Sequence, residues 1–79
     1  MKLFETMRLN HGHIPRLNYH TRRLRQSCSQ LGFQFSEIAW YSYIENLKQN
    51  YNDHLYRLKI EIDKDGQFTD LHLKGAGLT

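Results

Sequence analysis

The sequence holds too little cysteine for a disulfide, too little proline and glycine for a disordered or fibrous chain, and no apolar run long enough for a membrane span. Cys28 is the one cysteine, so no internal disulfide can form. It lies inside a run that reads as helix, which points to a reducing, cytoplasmic setting. Five Gly and one Pro, beside 39% hydrophobic and 13% aromatic residues, describe a packed globule rather than disorder. No apolar stretch approaches the ~18 residues of a spanning helix. The opening MKLFETMRLN carries Lys2, Glu5 and Arg8 and does not read as a signal peptide. Excess charge of one sign is also missing. Eleven Lys and Arg against eight Asp and Glu give +3, which permits an anionic partner without demanding one. Seventy-nine residues allow one domain, and a chain this short buries only ~60–65% of its unfolded surface.

What remains is a pattern of alternation and helical stripes. Residues 2–9 read as a strand with Leu3, Glu5, Met7 and Leu9 on one face and Phe4, Thr6 and Arg8 on the other. Asn10-His11-Gly12-His13 reads as a turn, and Ile14 and Leu17 as a short extended piece around Pro15. Asn18 is the expected N-cap of a helix reaching Leu31, with Gly32 closing it. At 100° per residue His20, Leu24, Ser27, Cys28 and Leu31 share an apolar arc. Arg22 and Arg25 lie opposite that arc, and Arg23 falls at its border beside Tyr19 and Gln30. Ser36 caps a second helix, about 37–51, whose stripe is Trp40, Tyr43, Ile44, Leu47 and Tyr51. Tyr56, Leu58, Ile60 and Ile62 then alternate with Arg57, Lys59 and Glu61 as a half-buried strand. Asp65-Gly66 signals a hairpin, and Thr69, Leu71 and Leu73 continue as the returning strand. The expected architecture is α+β: one domain over 1–74, with two helices packed on one face of a mainly antiparallel sheet of three or four strands. Residues 75–79 read as a flexible tail.

Few residues suggest chemistry by themselves. His11, His13 and His20 lack four-ligand zinc spacing and read as surface histidines, so no metal site is expected. Cys28 faces the predicted core and has no activating neighbour. The phosphate-binding glycine motifs are absent, and Gly75-Ala76-Gly77 is followed by no helix. Arg16, Arg22, Arg23 and Arg25 with Tyr19 form the densest basic segment, a feature that nucleic-acid-binding helices also have.

Phe4-Glu5-Thr6-Met7-Arg8, a glycine-containing turn, His20-Thr21-Arg22-Arg23-Leu24 and the closing Leu31-Gly32-Phe33 together resemble the start of class IV pyridoxal-phosphate enzymes. These are the branched-chain and D-amino-acid aminotransferases and aminodeoxychorismate lyase. The wording is most similar to the lyase-like domain of fused aminodeoxychorismate synthases, and the Leu58–Ile62 strand with Asp63-Lys64-Asp65-Gly66 fits that subgroup. The resemblance covers about residues 3–66. It implies that Arg23 binds the cofactor's 5′-phosphate. It also implies that Phe4, Thr6 and Arg8 line the substrate cavity, with Arg57 or Lys59 near a substrate carboxylate. The parent reaction would release pyruvate from 4-amino-4-deoxychorismate to give 4-aminobenzoate for folate synthesis, or transfer an amino group.

The departures are equally specific. In the family the catalytic lysine lies in a second domain, and Lys2, Lys48, Lys59, Lys64 and Lys74 match no such position. The short strand that precedes the FET element is also missing. The expectation is therefore an N-terminal domain alone: no catalytic residue, no turnover, no stably bound pyridoxal phosphate, and a homo-oligomer or an absent C-terminal cofactor domain as partner. The alternatives are a non-catalytic interaction module of the same fold and a basic nucleic-acid-binding domain.

Overall fold

The structure, a computed structural model, describes residues 1–74. The expected tail over 75–79 lies outside them. Five elements follow one another: β1 (Leu3–Asn10), α1 (Leu17–Leu31), α2 (Glu37–Asn50), β2 (Leu55–Ile62) and β3 (Phe68–Lys74). The three strands form an antiparallel sheet in the order β1-β2-β3, and both helices cover one face. Among the described residues the sheet has three strands, the lower of the two expected numbers. The segment around Pro15 forms a turn, and the extended piece expected there is reduced to a bridge between Asn10 and His13.

Alternation in β1 and β2 sets which side is buried. Leu3, Glu5, Met7 and Leu9 stand opposite Ile62, Ile60, Leu58 and Tyr56, and these rows face the helices. In β3 the inward row is Phe68, Asp70 and His72, while Thr69, Leu71 and Leu73 point outward. The β2–β3 connection spans residues 63–67 rather than a two-residue turn. The Asp63 carboxylate accepts from the backbone N–H of Asp65 and of Gln67, both at 3.0 Å. Gly66 takes φ +85°, and a Cβ there would sit 3.0 Å from the Gln34 carbonyl oxygen, so only glycine fits.

Two details of α1 differ from the sequence expectation. Asn18 is not the N-cap. Arg16 occupies that place in a left-handed conformation, φ 60°, with no side-chain cap. Pro15 just before it fixes the entry of the chain, and the helix starts at Leu17. The buried arc is also rotated: Thr21, Leu24 and Cys28 are buried, and Leu31 is 48% exposed. Thr21 can face the core because its hydroxyl is fully used. It donates to the Leu17 carbonyl at 2.8 Å and accepts from Trp40 Nε1 at 2.8 Å. In α2, Ser36 caps as expected, accepting from the Ala39 N–H at 3.2 Å. Trp40, Ile44 and Leu47 are buried, with Tyr43 and Tyr51 half-buried beside them. Trp40 has no exposed surface and packs its ring against Phe35 and Phe68, so it joins α2, the α1–α2 link and β3 in one core.

Candidate functional site

The inward face of β1 carries one carboxylate, Glu5, which is only 7% exposed. A buried charge needs partners, and the first turns of α1 supply them. His20 Nδ1–H donates to Glu5 Oε2 at 2.7 Å, and Arg23 Nε lies 3.9 Å from Glu5 Oε1. His20 and Arg23 are three residues apart, so one helical face brings both over β1. His20 is therefore not the surface histidine expected from sequence.

Arg23 is held at two points and open at the rest. Its guanidinium donates to the Tyr19 hydroxyl at 3.4 Å and lies 5.7 Å from the Tyr19 ring centroid, while Arg16 stacks on the same ring at 4.5 Å. The Tyr19 hydrogen bond and then the field of Glu5 raise its pKa above the usual arginine value, so it is always charged. More than half of its side chain is exposed. The neighbouring arginines differ. Arg25 is ion-paired with Glu37, and Arg22 is exposed without an ion pair among the described residues.

The other candidates share the outer face of the sheet. Strand register sets Phe4 opposite Glu61, Thr6 opposite Lys59 and Arg8 opposite Arg57. All five expected cavity residues, Phe4, Thr6, Arg8, Arg57 and Lys59, are thus brought together on one surface. Arg23 is not among them, because it lies on the helix side of the sheet. Lys59 places its ammonium 4.4 Å from the Phe4 ring centroid, and Glu61 is shared by Lys2 at 3.8 Å and Lys59 at 4.0 Å. Arg8 and Arg57, directly opposed, have no ion pair among the described residues. Like charges in that position destabilise a strand pair, so this corner of the face favours an anion.

Two groups were not singled out from sequence. The first is the Glu5–His20 pair. Its signal was present in a carboxylate on the apolar parity of β1 and a histidine in the apolar arc of α1. The second lies at the β3 edge. Tyr43 donates its hydroxyl to Asp70 Oδ1, and His72 Nδ1 lies 3.2 Å from Asp70 Oδ2. Burial and then the Asp70 bond push the Tyr43 hydroxyl well above its usual pKa. Tyr43, Asn46, Leu47, Asn50, Tyr51 and Asp70 line an open cleft of about 230 Å³ there. Cys28 is buried in the core, and burial pushes its thiol pKa up. Among the described residues no cluster of three or more metal-ligating side chains occurs, and no helix is long and apolar enough to cross a membrane.

A family model for amino-transferase class IV matches residues 2–77. The chain belongs to that family. Two solved structures share its fold. One, from Mesorhizobium loti and provisionally named an amino-acid aminotransferase, superposes with a TM-score of 0.80 at 23% identity, over 92% of this chain and 35% of that one. The other, from Haemophilus somnus 129pt and provisionally named a 4-amino-4-deoxychorismate lyase, gives a TM-score of 0.67 at 18% identity, over 92% of this chain and 39% of that one. The class IV chain described here thus spans little more than a third of the length of the structures it matches. No curated protein sequence matches it.

Proposed function

We propose that this domain supplies one half of a pyridoxal-phosphate site in a class IV enzyme: Arg23 for the cofactor phosphate, and the outer face of β1 and β2 for the substrate. The observation that carries this reading is the state of Arg23. A guanidinium permanently charged, oriented by Tyr19 and Glu5 and still more than half exposed, suits a phosphate. Arg25, ion-paired with Glu37, suits one less. Arg23 and the cavity residues lie on opposite sides of the sheet. Among the described residues β1 is an edge strand, and it joins the two sets. Glu5 lies beside Arg23 on one side of it, and Phe4, Thr6 and Arg8 stand on the other, so a cofactor seated across this edge would meet both. When bound, pyridoxal phosphate supplies the electron sink for chemistry at the substrate carbon next to the amino group.

The chain's own residues bind and orient. Arg23 anchors the phosphate, Phe4 offers an apolar wall, and Arg8 with Arg57 or Lys59 takes a substrate carboxylate. The reaction is release of pyruvate from 4-amino-4-deoxychorismate or transfer of an amino group, and the domain is inactive alone. The greater length of the matched structures supports a partner that brings the rest of the site, either a C-terminal cofactor domain or a further copy of the chain. The test is an NMR titration with inorganic phosphate of the parent, Arg23→Ala and Arg25→Ala. One charge-assisted contact predicts millimolar binding or weaker, lost in Arg23→Ala and retained in Arg25→Ala. Equal loss in both variants would indicate a diffuse basic face and refute the assignment.

A further inference from the structure

We propose that His20 is a positioning residue for this anion site: it holds the Glu5 carboxylate away from Arg23 and so keeps the Arg23 charge available. The proposal rests on the reading of Arg23 as a phosphate ligand and adds to it why that arginine is free.

Glu5 is fixed on the inward parity of β1, nearly buried, and must be paired. Two cationic or donor side chains on α1 are in reach, and a guanidinium is ordinarily the better partner because it can donate two parallel N–H bonds to one carboxylate. The geometry shows the opposite choice. His20 Nδ1 takes Oε2 at 2.7 Å, a hydrogen bond, whereas Arg23 Nε stands 3.9 Å from Oε1, beyond hydrogen-bond length. Tyr19 accepts from a different nitrogen of Arg23, Nη1, at 3.4 Å. The guanidinium is thus steered by Glu5 and Tyr19 without being neutralised by a close bidentate pair. Removing the His20 donor leaves the carboxylate one partner on α1, and Arg23 closes onto it. An anion then has to displace an internal ion pair before it can bind. A histidine that merely pinned α1 to β1 predicts no such competition.

The experiment uses the 79-residue chain and sulfate, which does not titrate near neutrality, at one fixed pH. Sulfate affinity and the water exchange of the Arg23 Nε–H are both followed by NMR. His20→Phe, which lacks the donor, should weaken sulfate binding roughly two- to five-fold, the range of a part-exposed ion pair. It should also slow Nε–H exchange in the absence of anion. His20→Gln keeps a donor and should keep the parent affinity. Glu5→Gln combined with His20→Phe should restore binding to the parent level or above, and Glu5→Gln alone should bind at least as tightly as the parent. A double variant as weak as His20→Phe, or unchanged exchange in His20→Phe, overturns the proposal. Sulfate binding that survives Arg23→Ala instead overturns the phosphate reading itself, and the exchange measurement, needing no anion, separates the two failures.

Discussion

Arg22, Arg23 and Arg25 differ in what each touches rather than in type. Arg25 is committed to Glu37, Arg22 is solvated, and Arg23 is oriented without being closed off. Helical phase alone located Arg23 at the border of the apolar arc beside Tyr19, its hydrogen-bond acceptor one turn back, but it gave no sign of Glu5, because that partner comes from strand β1, far back in the chain. Thr21 shows the same limit. Its hydroxyl is an unlikely core group on composition, yet it is the buried acceptor for the Trp40 indole, nineteen residues on. Replacing it by valine keeps the shape and removes the acceptor, leaving a buried N–H without a partner. Thr21→Val is expected to cost about 1–3 kcal/mol, read from denaturant melts. A midpoint equal to the parent's would mean that the indole is satisfied elsewhere.

At the scale of elements, the strongest periodic signals were legible. The β2 alternation and the α2 stripe appear in the fold as read, and Ser36 and Gly32 cap where expected. The start of α1 was not legible, since its N-cap is an arginine in a left-handed conformation after a proline, where no capping side chain marks the boundary. In β3 the two leucines, Leu71 and Leu73, lie on the outer face, and Asp70 and His72 join Phe68 on the inner one. Tyr43 and Tyr51 make that inner placement possible by giving Asp70 a donor and His72 a tilted ring contact. Within α2 the docking residue is Trp40, in ring contact with both Phe35 and Phe68. Trp40→Ala is expected to cost on the order of 3–5 kcal/mol, enough to unfold a domain this small. Chemical denaturation of the two proteins decides it: coincident transitions would remove Trp40 from the core.

For the whole molecule, the exposed outer sheet face is what governs association. Phe4, Leu71 and Leu73 are 58%, 61% and 53% exposed there, beside Arg8 and Arg57, which have no ion pair among the described residues. The outward row of a three-stranded sheet is read from sequence as solvent-facing only if it is polar, and this one is mixed, so the pattern alone left its partner undecided. A face of this kind in isolation favours association. Sedimentation at micromolar concentration is expected to show a dimer or larger species, reduced by Leu71→Lys, whereas a clean monomer would count against a covered face. The central claim is that a cofactor lies across the free edge of β1, between Arg23 and the outer-face residues. Its most direct measurement is a chemical-shift titration with pyridoxine 5′-phosphate, which carries the ring and phosphate but no aldehyde to react with lysines. The account predicts concerted shifts at Glu5, Thr6, Tyr19 and Arg23 with a single dissociation constant. Shifts confined to α2 and β3, or to the helix side with Phe4, Thr6 and Arg8 silent, would contradict it.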